Sequence, residues 1–343
     1  MRVLIIGGTG NISTAITRGL VERGDDVTLF TRGRSEVPVP GRVKVLLGDR
    51  TDHAAFEAQV GAAGRFDCVI DMIGYHPADA ESVIRAFRGR AGHFIFCSTV
   101  DVFTKPAPRY PVREDSPRGA SPTFPYAYDK VVCENLLLEA HARGDFPVTI
   151  LRPAATYNDA GCPISLFGPG PALLKRIRQG RPVIVLGDGS SFWVSCHRDD
   201  VGRAFVAAAG NPAAFGKSYI VAGEEWMTWR EYYQAVARAM NAPPVRTVGI
   251  PAALLGRALP RAAEWCVENF QYPNVFDNAA ARGDLGFRYT ISWEEGVRRM
   301  VAWHDARSSI DVSPPYPLYD RILESWERLG SAMVQDLVGA EAP

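Results

Sequence analysis

The chain has 343 residues, enough for one large domain or two modest ones with a sizeable core. Its 38 Lys and Arg are balanced by 38 Asp and Glu. No overall field therefore points to nucleic acid or a membrane surface as the main partner, and a small polar substrate fits better. No apolar run approaches the ~20 residues of a membrane-spanning helix. Met1 leads straight into an apolar run with no charged leader or cleavage site, so the expectation is a cytoplasmic protein. Six scattered cysteines (Cys68, Cys97, Cys133, Cys162, Cys196 and Cys266) form no CxxC or Cys/His pair at ligand spacing. No metal is expected, and the thiols read as reduced packing groups.

Arg2 to Ile6 is a β-branched run, and Asn11 to Arg23 carries Ile12, Ile16, Leu20 and Val21 at helical spacing. Between them, Gly7-x-x-Gly10-x-x-Ser13 puts small residues where the backbone must turn, pass close to a pyrophosphate and let the helix settle on a sheet. Ser13 stands where a third glycine is usual. Alone such a pattern is weak, but here it has a strand before it and a helix after it. Asp26 to Phe30 reads as the second strand, and an acidic residue just past it would bind a ribose 2'-hydroxyl. The chain has Thr31-Arg32-Gly33-Arg34 there. Two arginines and a hydroxyl suit a 2'-phosphate, which favours NADP over NAD; the alternative is a solvated basic loop.

Val43 to Leu47 is predicted as a third strand, with Asp49 placed to accept from an adenine amino group or to cap the helix near Asp52. Strands at Asp67 to Met72 and Gly92 to Cys97, with a helix at Ala78 to Phe87, complete an alternation that implies an α/β fold with a parallel doubly wound sheet. Ligands collect beyond the carboxyl ends of such strands, so Ile73, Gly74, Ser98 and Thr99 should line the cleft.

A long loop from Thr104 to Pro125 delivers the chain to Tyr126-Ala127-Tyr128-Asp129-Lys130. In a helix over 126–141, Tyr126 and Lys130 lie one above the other, and a nearby cation favours the charged form of a phenol. Such a pair can exchange protons with a substrate hydroxyl or carbonyl. The same helix is apolar on more than one face, at Val131, Val132, Leu136, Leu137 and Leu138, which suggests a homodimer formed through it. Val148 to Leu151 is another strand, and a Gly/Pro shift between Gly161 and Pro171 marks a crossing into a smaller lobe. His197 to Ala209 reads as a helix with His197 as its cap, Ser218 to Val221 as a strand returning to the main sheet, and the chain from Thr228 as mostly helical. The expected division is residues 1–155 with 197–222 for dinucleotide binding, and 156–196 with 223–343 for substrate. His76, just past the fourth strand, and an aromatic wall of Phe192, Trp193 and Trp226 are candidate substrate contacts, with core packing as the alternative for the wall.

The glycine turn, Asp49, Ser98-Thr99 and Tyr126-x-x-x-Lys130 occur in order. Arg113-Glu114-Asp115-Ser116-Pro117 precedes the tyrosine, and His197-Arg198-Asp199-Asp200-Val201 follows Gly187-Asp188-Gly189. On these residues the chain resembles the extended short-chain dehydrogenase/reductase family of NAD(P)-dependent epimerases and dehydratases, over most of its length. The resemblance implies a Rossmann fold holding NAD(P) at Gly7, Thr9, Gly10, Asn11, Ile12, Thr31, Arg32, Asp49, Arg50, Ile73, Gly74 and Pro153 as well as at Tyr126 and Lys130. Tyr126 would be the general acid/base, Lys130 would lower its pKa and hold the nicotinamide ribose, and Thr99 would bond the reacting oxygen. Ser98 is its neighbour, but adjacent strand residues face opposite sides. Implied substrate contacts are His76, Asp101, Tyr157, Asn158 and Trp193.

The chain also departs from relatives that act on nucleotide sugars. Ala155 replaces a usual Asn, and Trp193 lies near where an Arg grips the diphosphate, a bidentate partner that Trp cannot replace. Phe103 replaces a usual Tyr, and Thr99-Val100-Asp101 keeps one acid of the dehydratase Thr-Asp-Glu triplet. The expected function is an epimerase/dehydratase-type oxidoreductase acting on a hydroxyl or carbonyl carbon of a sugar or nucleotide-sugar-like substrate. One alternative is an NADPH-dependent carbonyl reductase. Another is a non-catalytic RNA-binding relative like the plastid members, which share the Phe30-Thr31-Arg32-Gly33-Arg34 type of sequence; the neutral charge speaks against it.

Overall fold

Runs such as Val3-Leu4-Ile5-Ile6 and Cys68-Val69-Ile70 have no polar face to leave in water, so they form strands covered on both sides. A computed structural model describes residues 1–338. In chain order its elements are β1 (Arg2–Ile6), α1 (Asn11–Glu22), β2 (Asp26–Thr31), β3 (Lys44–Leu47), α2 (His53–Ala62), β4 (Cys68–Asp71), α3 (Pro77–Phe87), β5 (Phe94–Cys97), α4 (Pro125–Ala142) and β6 (Val148–Pro153). There follow β7 (Ala155–Tyr157), α5 (Gly170–Arg178), β8 (Val183–Leu186), β9 (Phe192–Trp193), β10 (Ser195–His197), α6 (Arg198–Ala208), β11 (Ser218–Val221) and β12 (Met227–Thr228). The chain ends with α7 (Trp229–Ala239), β13 (Thr247–Ile250), α8 (Ala252–Ala258), α9 (Ala279–Leu285), α10 (Trp293–Asp305) and α11 (Pro317–Leu337).

A seven-stranded parallel sheet runs β11-β6-β5-β4-β1-β2-β3. On one face Val3, Ile5 and Ile70 pack with Ile16 and Leu20 of α1 and Val201 and Phe205 of α6. On the other, Leu4, Ile6 and Phe94 pack with Phe56 of α2, Phe87 of α3 and Leu137 of α4. Burying each such side chain is worth about 1.5–3 kcal/mol. Strand order reverses between β1 and β4, and the crevice at that point is where a doubly wound sheet takes its ligand.

The chain divides into two compact units, one of residues 1–158, 194–225 and 275–292, the other of 159–193, 226–274 and 293 onward. The sheet unit therefore also contains 156–158, 194–196, 223–225 and 275–292, which the sequence reading assigned to the substrate lobe. Polar anchors rather than apolar periodicity hold 275–292 there. The buried Asp200 carboxylate accepts from the backbone of Thr290 at 2.9 Å and Ile291 at 3.1 Å, and Asn278 bonds both backbone groups of Ala222.

The second unit contains strands that the sequence reading missed, since β13 pairs in parallel with β8. Gly249 weakens the strand pattern there, yet the position needs it: a Cβ would lie 2.1 Å from the Gly187 carbonyl oxygen. The unit is packed around aromatic rings. Trp193 stacks on Trp229 with centroids 4.8 Å apart, Tyr232 stacks on Trp293 at 4.2 Å, and both buried indole N–H groups of Trp229 and Trp293 reach backbone carbonyls. Among the described residues no helix is long and apolar enough to cross a membrane.

Candidate active site

The turn between β1 and α1 is closed by its own side chains. Gly7 has φ +88°, and a Cβ there would fall 2.6 Å from Ile73 Cγ2. Ser13 Oγ accepts from the Gly10 N–H at 2.8 Å and donates to the Gly7 carbonyl at 2.7 Å, so a hydroxyl in the third glycine place satisfies the turn. A Cβ at Gly10 would meet only Ser13 Oγ, at 3.3 Å. The turn is thus open toward a ligand at the N-terminus of α1, where unpaired N–H groups and the helix dipole favour an anion. Asn11, at the first position of that helix, donates to the Thr156 carbonyl at 2.9 Å and accepts from Asn158 at 2.6 Å. Asn158, expected at the substrate, braces the turn.

At the neighbouring strand ends Thr31 is buried and accepts from Gly33 N–H, while Arg32 and Arg34 are exposed. The Asp49 carboxyl is held below its usual range by hydrogen bonds from the Thr51 N–H and hydroxyl, with Arg32 and Arg34 adding to the effect. Asp52, not Asp49, caps α2, accepting from Ala55 N–H at 3.1 Å. Arg50 corrects the sequence reading, because its guanidinium is buried and turned inward. It lies over the Phe56 ring, donates to the Asp79 carbonyl at 2.6 Å and faces the buried Asp71 carboxylate at 3.5 Å. Leaving Asp71 without a cation would be costly.

The tyrosine and lysine lie on the first turns of α4, which Pro125 opens at a position where a missing N–H costs nothing. Lys130 is buried, donating to the Gly74 carbonyl at 2.8 Å and the Cys97 carbonyl at 2.7 Å between the rings of Tyr75 and Phe96. Burial lowers its pKa. Tyr126 is half-buried and shares a hydrogen bond with Thr99. Thr99 Oγ1 donates to Asp101 Oδ2 at 3.1 Å and accepts from Asp101 N–H at 3.2 Å, and Lys105 Nζ holds the other Asp101 oxygen at 2.7 Å. Ser98 lies beside Glu134.

The expected acidification of Tyr126 by Lys130 does not follow from this geometry. The ammonium is directed to two carbonyls, while burial and then the Asp101 charge push the phenol well above its ordinary range. Three expected substrate contacts also sit elsewhere. His76 is exposed and pairs with Asp129 at 2.8 Å, Tyr157 is buried with its ring against His197, and Trp193 is buried in the aromatic core of its own unit. His197 caps α6 by accepting from Asp199 N–H. Sequence reasoning missed Lys105 and the buried Glu134–Arg152–Arg118 network. The signals were there: Lys105 is four residues from Asp101, and Glu134 continues the Tyr126/Lys130 face of α4.

Residues 3–222 match the model of the NAD dependent epimerase/dehydratase family. The chain belongs to that family. It is 30% identical over 277 residues to 2'-dehydrokanamycin reductase of Streptomyces kanamyceticus, covering 81% of this chain and 77% of that enzyme. It is 30% identical over 347 residues to 2-alkyl-3-oxoalkanoate reductase of Stenotrophomonas maltophilia, covering 88% and 99%. A solved UDP-glucose 4-epimerase of Thermotoga maritima with UDP-glucose shares the fold, with TM-score 0.71 at 18% identity over 90% of this chain and 99% of that one. The chain is therefore an enzyme of an NAD-dependent family whose members include epimerases, dehydratases and reductases.

Proposed function

We propose that this enzyme reduces the carbonyl group of a small polar molecule with NADPH, with Tyr126 as the proton donor. One observation carries the reading: Tyr126, hydrogen-bonded to Thr99, stands one turn before the buried Lys130 on α4, and its phenol, protonated near neutral pH as phenols are and pushed further from ionising by burial and Asp101, starts in the state a general acid needs to deliver a proton to a carbonyl oxygen. The open glycine turn at Gly10 and the buried Lys130 amine fit a dinucleotide, which when bound supplies the hydride. Arg32 and Arg34 would hold a 2'-phosphate, with no acidic residue at the end of β2 to repel it. Both reductases named above carry an oxo or dehydro group in their substrates' names. The apolar edge of α4 at Leu136 and Leu138 is only partly covered by the sheet core, which leaves room for a homodimer there.

In the epimerase reading the phenol would have to begin as a base, and a tightly kept dinucleotide would end each turnover unchanged. The deciding experiment desalts the purified enzyme and offers NADPH or NADH with sugar-like ketones and β-keto acids. Net consumption of exchangeable NADPH with formation of the alcohol supports reduction, whereas retained dinucleotide and no net consumption overturn it. In the same assay Arg32→Ala should weaken NADPH about tenfold and leave NADH nearly unchanged, as expected for one charged hydrogen bond. Equal losses for both would remove the 2'-phosphate assignment.

A further inference from the structure

Thr99 carries one hydroxyl proton, and the structure shows where it goes. Its Oγ1 lies 3.1 Å from Asp101 Oδ2, an acceptor, while the Asp101 N–H donates back to the same oxygen at 3.2 Å. Asp101 is not free to turn away, because Lys105 Nζ holds its other carboxylate oxygen at 2.7 Å and both side chains are largely buried. With its one proton committed to Asp101, what Thr99 Oγ1 has left to offer in the hydrogen bond it shares with Tyr126 is a lone pair. The arrangement runs in one direction: phenol to Thr99, Thr99 to Asp101, and Asp101 clamped by Lys105.

We propose that Asp101, fixed by Lys105, is a positioning residue that holds the Thr99 proton and thereby makes Thr99 orient the Tyr126 acid, instead of donating to the substrate oxygen. This deepens the reductase reading and rests on it for its kinetic part only. Each carboxylate oxygen of Asp101 already has a partner, Thr99 on one and Lys105 on the other. The groups acting most on the phenol are Asp101 from the turn after β5, Thr99 and Cys97 from β5 and its end, and Tyr75 from the loop after β4. Cys97 is itself pushed up to about 11 by burial and Tyr75 is raised as well, so both are neutral where the enzyme works; burial acts most on the phenol, and the Asp101 carboxylate is the charge that adds to it.

The test needs a readout apart from activity. Phenolate absorbance of the whole enzyme is followed against pH, and the Tyr126→Phe trace is subtracted to isolate Tyr126. In the parent protein Tyr126 should stay silent to about pH 11, above the ordinary phenol range. Asp101→Asn should bring it at least about one pH unit lower and reduce kcat for reduction about tenfold with KM unchanged. Asp101→Glu should restore both. Lys105→Met keeps the carboxylate and should leave the phenol silent. Where Asp101→Asn does not fold, Asp101→Ser carries the same expectation. A phenol that stays silent in the Asp101→Asn or Asp101→Ser protein, or that comes into view equally in Lys105→Met, overturns the assignment. A titration that shifts as described in a protein that reduces no carbonyl would instead sink the proposed function and leave the positioning role standing.

Discussion

Ser98 and Thr99 are neighbours at the end of β5, and they serve two regions built on opposite principles. Behind Ser98 the Glu134 carboxylate is fully buried and bonded by Arg152 through two nitrogens at 2.9 Å and by Arg118 at 2.6 Å. These partners hold its pKa down against burial. In front of Thr99 the phenol of Tyr126 is only half-buried, raised in pKa, and bonded to a hydroxyl whose own proton is committed elsewhere. A region whose buried carboxylate is fully partnered resists change, whereas one with a half-buried acid bonded to a committed hydroxyl can act on a ligand. Two successive residues just past β5 thus open onto two different surroundings.

The largest effect should come from breaking the matched side. Glu134→Ala leaves the Arg152 guanidinium, 2% exposed, without its bidentate partner. The expected cost is about 3–5 kcal/mol of stability, the range for removing one member of a buried ion pair. A urea melt measures it. A melt within about 0.5 kcal/mol of the parent, the scatter of a neutral surface change, would show that the network holds nothing.

Breaking the other side should spare the fold and stop the chemistry. Tyr126→Phe removes only the phenol oxygen from a half-buried ring, so the melt should stay near the parent while turnover falls at least about a hundredfold, the low end for general acid catalysis. If turnover survives, Tyr126 is not the proton donor. If instead the protein melts early, the two sides of β5 do not differ as argued.

The contrast explains what could be read from sequence. The sheet, the glycine turn and the Tyr126/Lys130 spacing were legible because backbone geometry and helical periodicity impose residue types on local stretches. The direction in which Lys130 points was not, since its carbonyl partners at Gly74 and Cys97 are far away in sequence and carry no side-chain signature. For the same reason Arg50 read as a cofactor ligand although Asp71 and the Asp79 carbonyl claim it. Trp193, read as a ring for a ligand, is indistinguishable in sequence from a core residue until Trp229 and Phe270 are brought against it. Segment 275–292 joins the sheet unit through Asp200 and Asn278, and single polar anchors leave no period to detect.

The start of β5 sharpens the comparison with a third arrangement, a buried polar group kept neutral. His93 precedes the strand, accepts from Gly210 N–H through Nδ1 at 3.2 Å, and so carries its proton on Nε2, where it donates to Thr149 Oγ1 at 2.8 Å. Burial lowers its pKa from 6.5 to about 4. As pH falls through the interval between those values the unfolded chain takes up a proton that the folded ring refuses, so stability declines with acidity there and is unaffected above it. The loss by pH 4.5 should be on the order of 2 kcal/mol. In His93→Gln, which has nothing to protonate, the melt should start lower at neutral pH yet lose less between pH 7 and pH 4.5 than the parent does. Equal losses in both proteins would mean that the ring is already charged in the fold, and the neutral tautomer between Gly210 and Thr149 would have to be abandoned.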